Sequence, residues 1–107
     1  MSKREPSVLL DDIRTSISKK ERYTARLDEE SFLVDEKTID AVVRNLEIIG
    51  EAAKQISRQR HSAISWAQIA GLRNRIFHDY AGTDLKLVWH ISQIAIRKLA
   101  LQIADLK

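Results

Sequence analysis

The sequence predicts an all-α fold, an antiparallel bundle of four to five helices that forms a single domain over residues 1–107. Only three glycines and one proline interrupt the chain, and apolar residues recur three or four positions apart along charged stretches. No segment of four or more residues alternates apolar and polar side chains and then ends in hairpin chemistry. A chain of 107 residues also has room for one compact core and not two.

The clearest helix is predicted from about Asp35 to Arg58. Asp35 can cap its N-terminus, and Glu36 lies in the first turn, where negative charge interacts favourably with the helix dipole. Its apolar residues recur at alternating steps of three and four, which is typical of a helix face that packs on a core. They are Ile39, Val42, Leu46, Ile49, Ala53 and Ile56.

Two further helices are predicted at the ends of the chain. One follows Pro6, directs Leu9, Ile13 and Ile17 inward and gives way to a polar connector around residues 23–30. The other begins after Gly82, is capped by Thr83 or Asp84 and continues almost to the end of the chain. Its core-facing residues are Val88, Ile91, Ala95, Leu99 and Ile103.

A short helix is predicted between the two long ones. Ser65 and Gln68 have the spacing of a capping box, and Ile64 and Ile69 have that of a hydrophobic staple. Gly71 stands where a C-terminal cap is expected. The sequence therefore predicts that this helix ends near residue 71.

Two residues of the clearest helix favour a homodimer. Gly50 costs about 1 kcal/mol relative to alanine inside a helix, which close approach of another backbone would explain. Asn45 places a polar group on an apolar stripe that includes Val42, Ile49 and Ala52. Both residues fit a dimer seam, and the alternative is a tolerated glycine and a surface asparagine.

Positive charge is concentrated in one part of the chain. The total is +3, but residues 52–78 contain no acidic residue and carry +5, so the rest of the chain carries −2. The five cations are Lys54, Arg58, Arg60, Arg73 and Arg75. Such a region can attract the phosphates of an anionic polymer, which predicts contacts with a nucleic acid for Lys54, Arg58, Arg60 and Arg75.

Composition also excludes several classes of protein. The chain has no cysteine, which rules out thiolate zinc sites and thiol nucleophiles. Near the N-terminus the apolar run covers only residues 8–10, too short for a secretory signal or a membrane span. We therefore expect a cytoplasmic protein that does not associate with membranes.

The segment over residues 71–82 holds the reactive side chains. Within eight positions it contains Arg73, Asn74, His78, Asp79 and Tyr80, as well as a second arginine. At helical spacing Asn74 and His78 share a face, but Arg73 and His78 are five apart and lie roughly 140° around the axis from each other. For both to reach one substrate, either the helix ends before His78 or a partner chain supplies one of the two residues.

An arginine beside a histidine suits phosphodiester cleavage without a metal or other cofactor. Histidine can take the proton from a ribose 2′-hydroxyl or give one to the leaving 5′-oxygen. Guanidinium can hold the phosphate and stabilise the charge that develops on it. A metal-dependent site would need clustered carboxylates, whereas Glu47 and Glu51 are flanked by Arg44 and Lys54 as on an ordinary charged helix surface.

These residues resemble a known family. Arg73-Asn74-Arg75-Ile76-Phe77-His78-Asp79-Tyr80 matches the Arg-x4-His-x-Tyr motif of the HepT-like toxins, a branch of the HEPN superfamily of small helical RNases. Similar segments lie at residues 35–42, at residues 44–53 and at residues 66–74, so the resemblance is strongest over residues 35–89.

The resemblance implies a metal-independent endoribonuclease that acts as a toxin. It also implies a HEPN-like homodimer whose cleft combines the motifs of both chains. Arg73 and His78 would be the catalytic pair, with Asn74 and Asp79 lining the site. The expected partner is a minimal nucleotidyltransferase antitoxin, which silences such toxins by transferring AMP groups to the motif tyrosine, here Tyr80.

Two other hypotheses compete with this one. Ala67 and Gly71 have the Ala-x3-Gly spacing of a helix-turn-helix, and residues 73–75 could then open a recognition helix in a DNA major groove. A catalytically inactive helical dimer that only binds the nucleotidyltransferase is the third hypothesis.

Overall fold

The computed structural model describes residues 5–57, 64–81 and 84–105, with the helix but not the side chains described over residues 77–81. All the secondary structure in these ranges is helical, which confirms the predicted all-α class. The chain forms a bundle with principal dimensions of 38 × 26 × 23 Å.

The N-terminal part contains two helices, α1 (Pro6–Thr24) and α2 (Glu29–Leu33). Pro6 begins α1 as predicted, and the inward residues Leu9, Ile13 and Ile17 are buried. The short helix α2 begins at the end of the predicted polar connector, residues 23–30, and continues beyond it. The Asp28 carboxylate caps it by accepting the Ser31 N–H at 2.8 Å, which also lowers the pKa of Asp28.

The central helix is α3 (Glu36–Ser57), which packs against α1, α2 and α4 (Trp66–Ala81). Asp35 caps α3 as predicted, because its carboxylate accepts the backbone N–H of Thr38 at 3.1 Å and the hydroxyl of Thr38 at 2.8 Å. All six residues of the predicted stripe are buried. Hydrophobic burial on both sides of this helix thus makes it the core element of the bundle.

The C-terminal part is a continuous helical segment formed by α5 (Leu85–His90), a π-helical stretch (Ile91–Ala95) and α6 (Ile96–Ala104). The Asp84 carboxylate caps it by accepting the Leu87 N–H at 3.1 Å, which confirms one of the two predicted caps. The π-helical stretch has no counterpart in the sequence prediction. There Ser92 is fully buried and donates its hydroxyl to the Trp89 carbonyl at 2.8 Å.

A charged side chain lies inside the apolar bundle. The Lys20 side chain on α1 is fully buried and forms an ion pair with Glu21, which also lies 3.4 Å from Arg97 of α6. Burial lowers the pKa of Lys20, although the hydrogen bond and charge of Glu21 act in the opposite direction. Glu21 therefore links α1 to α6 through Arg97, and it offsets only in part the electrostatic cost of burying Lys20.

Candidate active site

Residues 71–81 of the reactive segment lie on the single helix α4, which continues from Trp66 to Ala81. The prediction that a short helix ends at Gly71 is therefore wrong. Gly71 is an internal residue of α4, and a Cβ atom placed on it would meet nothing within 4 Å. A single internal glycine costs a helix only about 1 kcal/mol relative to alanine. The packing of the residues before and after Gly71 on the core is sufficient to offset this cost, so the helix continues through Gly71.

The continuity of α4 decides how Arg73 and His78 can act. Five residues in an unbroken helix place these two positions about 140° apart around its axis. The first way of bringing them to one substrate, a helix that ends before residue 78, is excluded. The second way, in which a partner chain supplies one of the two residues, remains a prediction.

The inner face of α4 is fixed by two deeply buried side chains. Trp66 at its start is 3% exposed, and Ile76, three residues after Arg73, is 1% exposed. Ile69 and Leu72 pack against the same core between them. The helix therefore contacts the core along much of its length, on both sides of Arg73 in the sequence.

Arg73 lies directly over Gly50 of α3. A Cβ atom added to Gly50 would stand 2.6 Å from the Arg73 Cβ and 3.4 Å from its Cγ and Cδ. Gly50 lies seven residues before Ser57, the last residue of α3, and Arg73 seven residues after Trp66, the first residue of α4. At 1.5 Å per residue, both are about 10 Å from the connection, as expected for an antiparallel pair of helices.

The two residues assigned to a dimer seam are both buried within one chain. Gly50 is covered by Arg73, so the close approach that its glycine suggested occurs between α3 and α4 of the same chain. Asn45 is also buried, and its amide donates to the Ala41 carbonyl at 2.8 Å. Neither the seam nor the alternative of a surface asparagine accounts for them, and dimerisation remains a prediction that rests on other grounds.

The structure places the other candidate residues as follows. Asn74 and Arg75 on α4 and Lys54 on α3 are exposed, and Arg73 is half-buried. Arg58 and Arg60 lie outside the described residues, as do the side chains of His78, Asp79 and Tyr80, whose backbone belongs to α4. The described part of the site is thus a half-buried arginine on the helix that also carries His78, with exposed polar and cationic neighbours.

The described residues show no carboxylate cluster at this site. Over those ranges no group of three or more His, Asp or Glu residues could hold a metal ion. Glu47 is half-buried and Glu51 is exposed on α3.

In the same ranges, no helix is both long enough and apolar enough to span a membrane.

Comparison with known proteins assigns the chain to a family. A family model described as "Ribonuclease HepT-like" matches residues 13–106. The chain belongs to the HepT-like ribonuclease family. The match extends beyond residues 35–89, where the resemblance is strongest, on both sides. It includes α2 to α6 and most of α1.

Individual relatives support the HepT-like assignment over most of the chain. A protein named "Probable ribonuclease HepT" from Thermococcus cleftensis is 40% identical over 90 residues, which cover 81% of this chain and 82% of the relative. One named "Putative RNase" from Methanocaldococcus jannaschii is 35% identical over 102 residues, covering 92% and 94%. No solved structure gives a significant match.

The continuous helix also removes the basis of the DNA-binding alternative. A helix-turn-helix requires a turn close to Gly71, between a first helix that contains Ala67 and a recognition helix that begins near Arg73. Ala67, Gly71 and Arg73 instead lie within the one helix α4. This HepT-like chain therefore does not present residues 73–75 at the start of a recognition helix.

Proposed function

We propose that this HepT-like chain is a toxin that cleaves RNA as a metal-independent endoribonuclease. The observation that carries the proposal is the position of the Arg-x4-His motif on one helix, α4, in a chain that matches the HepT-like ribonucleases over residues 13–106. The exposed Arg75 adds positive charge within the motif, and the exposed Lys54 adds it on the adjacent helix α3, as expected for a surface that binds phosphates.

In the proposed reaction the ribose 2′-oxygen attacks the neighbouring phosphorus while the bond to the 5′-oxygen breaks. His78 takes the proton of the 2′-hydroxyl or gives a proton to the departing 5′-oxygen, a role that contributes about 10²- to 10⁴-fold in rate. Arg73 holds the phosphate and stabilises the charge that develops on its oxygens. The products carry a 2′,3′-cyclic phosphate and a free 5′-hydroxyl.

We also propose that the functional unit is a homodimer. Arg73 and His78 lie about 140° apart around a helix that is 10 to 12 Å wide with its side chains, so one copy of α4 does not present both to one phosphate. A two-fold dimer would bring Arg73 of one chain towards His78 of a second copy. It would also bring together two of the basic regions.

The regulation that we propose acts on Tyr80. A nucleotidyltransferase antitoxin would transfer AMP groups to the Tyr80 hydroxyl, two residues from His78. The first AMP would come from ATP, whose α–β phosphoanhydride bond breaks to release pyrophosphate, and the hydroxyl proton would be lost to solvent. The added phosphate carries negative charge and bulk, so it would repel the phosphate of an approaching RNA and block the cleft. Asn74 and Asp79 would line the same cleft.

The test is cleavage of RNA by the purified full chain in the presence of EDTA, with the ends of the products identified. The His78→Ala variant should lose at least about 100-fold in kcat, because the proton transfer is lost. The matched control is His90→Ala, since His90 is an exposed histidine paired with Glu29 at 3.4 Å. Equal cleavage by His78→Ala and His90→Ala would refute the role of His78, and absence of cleavage by the unmodified chain would refute the activity.

A further inference from the structure

The contact between Gly50 and Arg73 restricts where the arginine can lie. The Arg73 Cβ lies only 2.6 Å from the point where any other residue at position 50 would carry its own Cβ, which is closer than two such atoms can approach. The Cγ and Cδ of Arg73 also lie close to this point, at 3.4 Å. The aliphatic part of the arginine thus lies against the buried Gly50 position, and this contact limits the directions that the guanidinium can take.

This steric restriction has no easy relief. A Cβ atom is bonded to the backbone, so it cannot rotate away as the end of a flexible side chain can. Relief would require α3 and α4 to move apart at this level. Trp66 and Ile76 on the two sides of Arg73 are both buried in the core, and such a movement would open their packing.

We propose that Gly50 is a positioning residue for Arg73, in that the missing side chain at position 50 allows α4 to approach α3 closely enough to place the arginine for phosphate binding. This inference rests on the proposed function for the role of Arg73. It accounts for a glycine within the central helix, where alanine would otherwise be favoured. Gly50 itself contacts no substrate.

The size of the effect follows from the distances. To accommodate an alanine at position 50, the distance between its Cβ and the Arg73 Cβ would have to increase by about 0.8 Å, from 2.6 Å to the 3.4 Å of ordinary van der Waals contact. Catalytic groups must be held within about 0.5 Å of their productive geometry, and an error of about 1 Å can cost 10²-fold in rate. We therefore expect Gly50→Ala to lower kcat by between about 10- and 100-fold.

The loss should fall on kcat more than on KM. Arg73 stabilises charge that develops in the transition state, whereas the bound RNA is also held by other cations of the basic region. We expect KM to stay within about threefold of its original value, since a displaced Arg73 removes an interaction that strengthens only during the reaction. A general loss of folded protein would instead lower the amount of active enzyme, which an active-site titration detects.

Removal of the opposing Cβ gives the sharpest test. Gly50→Ala should lower Tm by about 5 °C or more when residue 73 is arginine, because the added Cβ would clash with the Arg73 Cβ. The same change should have little effect in an Arg73→Gly background, where no Cβ remains. Gly71→Ala is the matched control, since it makes the same change in a helix where the surrounding space is open, and it should keep or raise Tm.

The experiment measures kcat and KM on RNA, and Tm, for the unmodified chain, Gly50→Ala, Arg73→Gly and the double variant. Asp84→Ala, which removes the cap of α5, serves as a destabilised variant that should keep its kcat. A folded Gly50→Ala with kcat within twofold of the original overturns the inference, as does an equal loss of Tm in both backgrounds. If Gly50→Ala does not fold, folding of the double variant supports the inference and its failure to fold overturns it.

These outcomes separate the inference from the proposed function. An unmodified chain that does not cleave RNA refutes the function, and the Tm comparison then still decides whether Gly50 sets the position of Arg73. Cleavage by the unmodified chain together with a fully active Gly50→Ala leaves the function in place and refutes the inference.

Discussion

Ile76 provides a direct test of how α4 packs in the bundle. Its side chain is 1% exposed, three residues from Arg73. The Ile76→Ala substitution removes about three methylene equivalents, worth about 2.4 kcal/mol of transfer free energy at roughly 0.8 kcal/mol each. The cavity that remains adds a further cost, so we expect a total loss of about 3 kcal/mol in the free energy of unfolding.

Urea unfolding followed by circular dichroism measures this loss. The control is Arg75→Ala, a neighbouring exposed residue of the same helix, which should change the free energy of unfolding by less than about 0.5 kcal/mol. A loss below about 1 kcal/mol for Ile76→Ala would show that the side chain is not enclosed. The close contact of Arg73 with Gly50 would then lose its structural basis.

Three further predictions concern other parts of the chain. Since burial lowers the pKa of Lys20, the unfolded chain binds more protons between the folded and unfolded pKa values, and the free energy of unfolding rises with pH in that alkaline window. Lys20→Met should abolish this rise and stabilise the chain by about 1 kcal/mol at neutral pH. If urea unfolding shows that Lys20→Met instead lowers the free energy of unfolding, the ion pair with Glu21 is net stabilising. Asp84→Ala should cost about 1 kcal/mol by thermal or urea unfolding, because the Leu87 N–H loses its cap, and an unchanged stability would refute the cap. Tyr80→Phe should remain toxic when expressed but escape modification by a nucleotidyltransferase, as judged by intact mass, and loss of toxicity would point to a direct role in the cleft.

Local signals predicted the helices well where they act within one turn. The sequence predicts Asp35 as a cap and Asp84 as one of two candidates for another, because a cap needs only a carboxylate a few residues from the N–H groups that it satisfies. The core stripe of α3 was predicted from periodicity alone, since burial of one face is what that periodicity reflects. The family motif likewise occupies consecutive positions.

The remaining features depend on contacts between distant residues. Gly71 has the local signature of a helix end, yet the helix continues because residues on both sides of it pack on the core. The close approach at Gly50 was predicted, but its partner is Arg73, 23 residues along the chain, and not a second copy. The π-helical stretch at residues 91–95 is not marked by the apolar spacing of the sequence.

We propose that Arg73 and His78, which lie about 140° apart on the continuous helix α4, act from two different chains. Mixing inactive Arg73→Ala with inactive His78→Ala tests it directly, after denaturation and joint refolding to exchange chains. From an equimolar mixture, half of the dimers contain one chain of each variant. In such a dimer one of the two sites combines the unmodified Arg73 of one chain with the unmodified His78 of the other, so about one quarter of the original cleavage rate should return. Recovery near that level, at a concentration where each variant alone is inactive, is the predicted result. No recovery from a mixture shown to contain mixed dimers would contradict the claim.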